Sequence, residues 1–167
     1  MARNQRLDPS FSSADAFIGI ATNIPVIQLV HFINSTTILN LSREEDLPAY
    51  LEKAGKLICF RFFYHQNDEY RSDFCLLSNS STGINLIPKL KHFTYFLVIQ
   101  GAIPRDKVMH LIKQINSING VQMAADIKPE EIPSLGLILQ DLELHLTDLK
   151  TIKSESQKRF MPLSEDQ

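Results

Sequence analysis

One histidine and three carboxylates gather around a predicted hairpin turn, in the stretch HQNDEYRSD. His65, Asp68, Glu69 and Asp73 are residue types that bind zinc and other divalent metals. None of the spacings that bring two ligands together in common metal sites, such as H-x-H, H-x-x-x-H or C-x-x-C, is present. Solvated turns ordinarily carry such polar residues. We therefore predict a plain hairpin turn, with no bound metal and no cofactor.

Catalytic motifs are equally absent from the sequence. A serine nucleophile of the G-x-S-x-G kind does not occur, although the stretch LSNSS contains several serines. The six glycines form neither G-x-G-x-x-G nor the G-x-x-x-x-G-K-[ST] loop that holds phosphate groups. His31, His110 and His145 are isolated, and lone histidines of this kind are more often surface or interface residues than catalytic ones. We predict no catalytic residues.

The chain has two cysteines, Cys59 and Cys75, each within an apolar run. One pair in a chain of 167 residues is not a disulfide framework, and buried free thiols pack as small hydrophobic groups. We predict that both belong to the core, in preference to a redox pair or half of a metal site.

Aromatic residues alternate along two predicted strands, at Phe60, Phe62, Tyr64, Phe93 and Tyr95. Such a row resembles the aromatic platforms on which some sheets stack RNA bases. The net charge of -2 and the isoelectric point near 6.2 disfavour a polyanionic partner. We therefore predict no nucleic-acid binding, and a sheet face that is covered by helices or by a partner subunit.

Hydrophobic residues make up 44% of the 167 residues, which is enough for one compact domain with a core. No stretch approaches the ~20 apolar residues of a membrane span. No apolar run of signal-peptide length follows Arg3 and Arg6. We expect a soluble cytoplasmic protein without a membrane partner.

Two kinds of periodicity predict the elements that carry these residues. Strands are expected where bulky residues alternate, and helices where apolar residues recur every three or four positions. The predicted order is a strand at 15–22, a largely buried helix from Pro25, an irregular arm at 39–56 with a short helix in PAYLEKA, a hairpin at 57–78, a strand at 93–100, a helix from Pro104 to Asn119-Gly120, and a strand at 121–127.

This order predicts an α+β fold. It resembles a ferredoxin-like sandwich with one additional strand, in which a mainly antiparallel sheet carries two helices on one face. A related α+β layer with a different strand order fits the same pattern, because periodicity does not determine order. The core domain is expected at 14–130, after a flexible N-terminus at 1–13.

The apolar C-terminal element at 131–152 has two interpretations. Its leucines form a helical stripe, and they also alternate as two short strands would. The helix propensity of leucine favours the helix. We predict that this element extends the core and that a flexible tail follows at 153–167. The residues that would form an interaction face on it are Leu135, Ile138, Leu142 and Leu149.

The stretch LIPKLKHFTYFLVIQG, with AFIGIATN upstream and INGVQMAADI downstream, resembles a bacterial family named for an I-P-E-x-x-V-F-D-Y motif, which has no established activity. Ile87, Pro88, Phe93 and Tyr95 match that motif, and the likeness covers residues 14–130. The chain departs from it at three positions, where Lys89, His92 and Thr94 replace Glu, Val and Asp. The resemblance therefore implies structural motif residues and no catalytic ones.

A second likeness is to amino-acid-sensing regulatory domains of the ACT type, which share the βαββαβ order. The stretch YFLVIQGAIPRDKVMHLIKQINSINGV is similar to the second half of such a domain. The resemblance implies a glycine where the first helix begins, and here Ile24, Pro25 and Val26 occupy that turn.

The apolar tail, the aromatic sheet positions and the lack of catalytic motifs together predict a non-enzymatic α+β module. We expect it to act through contact with a protein partner, above all a second copy of itself. A regulatory domain that binds a small ligand is the alternative, and an enzyme without a recognisable motif is the third interpretation.

Overall fold

The computed structural model describes residues 15–160. The predicted flexible N-terminus at 1–13 and the end of the predicted tail, 161–167, lie outside the described residues. The strands are β1 (Ala16–Thr22), β2 (Ser42–Leu51), β3 (Lys56–Asn67), β4 (Ser72–Ser78), β5 (Ser80–Ser81), β6 (Ile84–Asn85), β7 (Tyr95–Gly101) and β8 (Val121–Asp126). The helices are α1 (Val26–Thr36), α2 (Arg105–Asn116) and α3 (Leu135–Phe160).

Six strands form one antiparallel sheet in the order β2-β3-β4-β7-β1-β8, and β5 and β6 form a separate small hairpin. The chain therefore has an α+β fold. The first strand is inserted between two late ones, because β1 pairs with both β7 and β8. All of its residues are buried, as its continuous apolar sequence predicts.

Helices cover both faces of the sheet. Helices α1 and α2 pack on one face, over the side chains of Ile18, Leu76 and Leu97. Helix α3 packs on the other, over Phe60 and Phe96. Two helices on one face agree with the prediction, but the predicted number of helices is corrected, since a third helix lies on the opposite face. Its leucine stripe covers aromatic side chains of the sheet that would otherwise contact water.

The C-terminal element is a helix, so the helical alternative is confirmed. It begins at Leu135 and continues beyond Ile152, where the sequence predicts the start of the tail, to Phe160. Its stretch 151–159 is exposed on every side, so only the first part of the helix packs on the sheet. Within residues 15–160 no helix is long and apolar enough to span a membrane.

The prediction of an irregular arm with a short helix at 39–56 is wrong, because Ser42–Leu51 is a strand and PAYLEKA does not form a helix. Strand β2 is the edge of the sheet, next to β3. Proline is tolerated at an edge because no second neighbour needs its missing N–H, and Pro48 lies opposite Cys59 there. The register also shifts between Glu44 and Leu47, which marks a β-bulge.

The first helix is less buried than its sequence predicts. Val26, Leu29, Val30 and Ile33 are buried against the sheet. Ile27 remains 75% exposed, and the rest of the outward side is exposed as well. Helix α2, in contrast, buries the predicted stripe of Val108, Leu111, Ile112 and Ile115 and exposes polar residues on its outer side.

Candidate functional site

The side chain of Asn79 holds together the motif loop, which we define as residues 86–94. Its Nδ2 group donates to the carbonyl oxygens of Leu90 (3.0 Å) and Phe93 (2.9 Å). Its Oδ1 atom accepts from the backbone N–H of Ile87 at 2.9 Å. Asn79 follows β4 directly and is 1% exposed, so these bonds form away from water. One buried amide therefore determines the path of the motif loop.

The motif loop also depends on a glycine in β1. The ring of Phe93 lies so close to Gly19 that a Cβ atom there would stand 2.6 Å from it. The same Cβ would be 2.8 Å from the side chain of Ile127. Gly19 therefore leaves the space that two buried side chains fill.

The four predicted motif residues all have structural positions. Ile87 is buried and Pro88 begins a 3-10 turn that ends at Leu90. Phe93 packs on the face that α3 covers, whereas Tyr95 packs on the face beneath α1 and α2. The expectation that Phe93 and Tyr95 alternate on one face of a strand at 93–100 is wrong, because β7 begins only at Tyr95 and Phe93 belongs to the loop before it.

At one position where the motif differs, Thr94 joins the loop to β1. Its hydroxyl donates to the carbonyl oxygen of Thr22 at 2.8 Å and accepts from the backbone N–H of Thr22 at 3.2 Å. Lys89 and His92, which occupy the other two positions, are exposed.

The side chains predicted to form a C-terminal interaction face point inward. Ile138, Leu142 and Leu149 are buried against the sheet, and Leu135 is half-buried beside the same cluster. Ile138, Leu142 and Leu149 therefore belong to the core of the single chain, whereas Leu135 keeps part of its surface exposed.

His145 in α3 makes a buried contact that the sequence did not indicate. Its Nε2–H donates to the carbonyl oxygen of Glu45 at 2.8 Å, at the bulge of β2. Its ring meets that of Phe62 edge-on, with centroids 4.9 Å apart. The side chain joins α3 to the sheet edge, and an isolated histidine in the sequence does not indicate such a contact.

The residues around the predicted hairpin turn do not converge. Asp73 accepts a hydrogen bond from the Tyr64 hydroxyl and lies 3.8 Å from Lys150, while Asp68 and Glu69 are exposed in the turn. His65 stacks on Phe74, with centroids 5.8 Å apart. Within residues 15–160, no three His, Cys, Asp or Glu side chains are arranged to hold a metal ion.

Burial changes the ionisation of several side chains in this region. The pKa of His65 is lowered by desolvation, although the nearby Asp68 carboxylate opposes the change. Burial raises the pKa of the Tyr64 phenol, and its hydrogen bond to Asp73 raises it further. The Nε2 atom of His65 is buried and has no hydrogen-bond partner among the described residues. These shifts favour the neutral form of both side chains.

The two thiols lie apart. Cys75 is buried among the side chains that α3 covers, and Cys59 is exposed on β3. Cys59 alternates with Ile58 and Phe60, which face α3, so it lies on the other side of the sheet. The prediction of core packing holds for Cys75 and is wrong for Cys59.

An open groove of about 510 Å³ lies at one end of α3. Three segments that are distant in sequence surround it, namely 49–54 at the end of β2, 84–89 before and within the motif loop, and 133–141 at the beginning of α3. We call it the α3 groove. Its walls are mainly apolar, and it is on the same side of the sheet as α3.

Asp141 provides a carboxylate within the α3 groove. The backbone N–H of Tyr50 donates to it, and burial raises the pKa of this carboxyl from its ordinary value. No ion pair to Asp141 forms among residues 15–160. The carboxylate has thus lost part of its hydration without gaining a cationic partner.

The chain matches no family model, no curated protein and no solved structure in the comparisons.

Proposed function

We propose that the protein is a homodimerisation module in which the outer side of α1 meets a second copy of the chain. We define this surface, the α1 face, as the exposed side chains of Ile27, Gln28, His31 and Phe32, with Ile38 just beyond the helix. The observation that carries the proposal is that α1 leaves the large apolar side chains of Ile27 and Phe32 exposed on the side turned away from the sheet.

The α1 face exposes large apolar side chains on α1 and just beyond its end. Ile27 is 75% exposed and Ile38 is 58% exposed, and Phe32 is partly exposed between them. Helix α2 packs beside α1 on the same face of the sheet and exposes Met109. Several large apolar side chains exposed on one part of a surface are typical of interfaces between proteins.

The charge of the α1 face favours a second copy as the partner. Helix α1, from Val26 to Thr36, contains no Asp, Glu, Lys or Arg. In a symmetric dimer the same patch faces itself, so any charge on the symmetry axis would meet a like charge. A face without charges meets its own copy without that repulsion, and the cores of such interfaces are depleted in charged residues.

Light scattering after size exclusion tests the proposal, and Leu144 provides a matched control. Leu144 is 66% exposed on α3, on the opposite side of the sheet from α1. We expect a dimer for the unchanged chain and for Leu144→Glu, and a folded monomer for Ile27→Glu and for Ile38→Glu. A monomeric unchanged chain at about 50 μM would overturn the proposal, because a stable dimer with a Kd near 1 μM is then mostly assembled. A dimer that survives Ile27→Glu and Ile38→Glu would also overturn it.

We also propose a specific fold type and a cellular location for the chain. The order β8-β1-β7-β4, with α1 and α2 on one face, supports a ferredoxin-like unit to which the β2–β3 pair is added. We also propose a likeness to the I-P-E-x-x-V-F-D-Y family, which the four matching residues Ile87, Pro88, Phe93 and Tyr95 support. The exposed free thiol of Cys59 supports a reducing compartment such as the cytoplasm.

Binding of a small ligand is the second candidate function, and the α3 groove favours it. The groove is on the opposite side of the sheet from the α1 face, so a single molecule accommodates both.

A further inference from the structure

The volume and walls of the α3 groove suit a small organic molecule. Its volume of about 510 Å³ is within the range of ordinary ligand sites. Ile87 and Ile138 form the buried part of the wall. Leu137, which is 53% exposed, and Tyr50, which is 55% exposed, leave large apolar surface open to water along the groove. An apolar ligand body would cover this surface.

The charged groups of the groove differ in their exposure. Glu52, Lys53 and Lys89 are exposed, so water screens their charges. Asp141 is half-buried, accepts one neutral backbone donor and forms no ion pair within the described part of the chain. It is therefore the charge in the groove that gains most from a ligand of opposite sign.

We propose that the α3 groove binds a small amine, with its protonated amino group on the Asp141 carboxylate and its apolar body against Leu137 and Ile138. A hydrogen bond between an ammonium group and a carboxylate is charge-assisted and stronger than one between neutral groups. The apolar wall adds affinity that a bare ammonium ion would not have. An anionic ligand would meet Asp141 with like charge, and the attraction of Lys53 and Lys89 for it is weakened because both are exposed to water.

This proposal is tested by titrating the unchanged chain with a series of n-alkylamines from butylamine to octylamine. The n-alkanoates of the same lengths serve as ligands of opposite charge. Isothermal titration calorimetry at pH 7 measures the affinity of both series. We expect amine affinity to rise up to about fourfold with each methylene group that the wall covers. We expect each alkanoate to bind at least tenfold more weakly than the amine of equal length.

Three variants locate the site. Asp141→Asn keeps an acceptor for the Tyr50 N–H and removes the charge, and we expect it to weaken amine binding at least tenfold. Glu52→Gln is the matched control, because it removes an exposed charge from the same groove, and it should change binding less than threefold. Leu137→Ser should reduce the gain per methylene group, since Leu137 is exposed and its loss leaves the core intact.

Folding is checked by thermal unfolding of each variant without ligand. The raised pKa of Asp141 means that its charge is disfavoured in the folded chain, so Asp141→Asn should unfold at a higher temperature at pH 7. Equal affinities for amines and alkanoates would overturn the proposal. So would unchanged amine binding by Asp141→Asn, or no binding by either series. These outcomes are separate from the oligomeric state, which the α1 variants report.

Discussion

The ring of Phe93 packs directly on the backbone of Gly19, in space that a side chain at that position would occupy. A Cβ atom on Gly19 would stand 2.6 Å from the ring, well inside the ordinary contact distance. Strand β1 and the motif loop, which are far apart in sequence, are thus fitted to each other at one glycine.

We expect Gly19→Ala to lower the free energy of unfolding by about 1–3 kcal/mol, because the added methyl group overpacks a buried site. Replacement of Phe93 by leucine in the same chain should recover part of this loss, since the two changes affect one contact. Gly136→Ala is the matched control. Gly136 is in α3 and a Cβ atom there meets nothing, so this change should stabilise the chain by about 0.5–1 kcal/mol. Urea unfolding measures the free energy of unfolding of the unchanged chain, the two glycine variants and the double variant. An equal loss of stability in both glycine variants would contradict the packing argument.

We expect Asn79→Ala to lower the free energy of unfolding by at least about 2 kcal/mol, which is more than an ordinary surface substitution does. It leaves the buried carbonyl group of Phe93 and the buried N–H group of Ile87 without this partner, and each unsatisfied group costs about 1–3 kcal/mol. The carbonyl group of Leu90 also loses a donor but keeps its bond from the N–H of Phe93. Asn79→Asp should also lower the free energy of unfolding, because a carboxylate cannot donate to the carbonyl oxygens of Leu90 and Phe93. Asn40→Ala, at an exposed asparagine, should change stability by less than about 0.5 kcal/mol. Similar urea midpoints for Asn79→Ala and Asn40→Ala would refute the role of Asn79.

We expect His65 to make stability fall as the pH drops below about 6.5, the ordinary pKa of histidine. In that range the unfolded chain binds a proton at His65, while the folded chain, with its lowered pKa, does not. The proton therefore favours unfolding, and the contribution is fully present only above the unfolded pKa. His65→Gln should flatten the dependence of the unfolding temperature on pH between 7 and 5. His92→Gln changes an exposed histidine and should retain the slope. An identical slope in both variants would exclude His65 as the source.

The elements that were predicted correctly are those whose own residue pattern shows which of their faces are buried. Strand β1 has apolar side chains on both faces, and α2 has a single apolar stripe, so each pattern has one interpretation. Strand β2 was missed because the local sequence SREEDLPAYL contains four charges and Pro48, which oppose a strand. Its place at the sheet edge, with β3 on one side and α3 above, makes the strand stable regardless of its propensity.

The candidate sites were harder to predict for a related reason. The leucine stripe of α3 indicated a buried face, but it did not indicate whether the chain itself or a partner covers that face. The α3 groove is formed by three segments from separate parts of the chain, so no local pattern describes it. Asp141 is an ordinary helical carboxylate in the sequence, and only its neighbours in space make it distinctive.

The pairing of β1 has a consequence for the synthesis of the protein. Ala16 pairs with Ile99, and Ile18 pairs with Asp126, so the first strand leaves the ribosome long before either partner exists. Strands β2, β3 and β4 can join their sequence neighbours as they emerge, whereas AFIGIAT remains unpaired with its apolar surface in contact with water or a chaperone. The nascent chain is thus most vulnerable to aggregation at β1, until translation has passed residue 126.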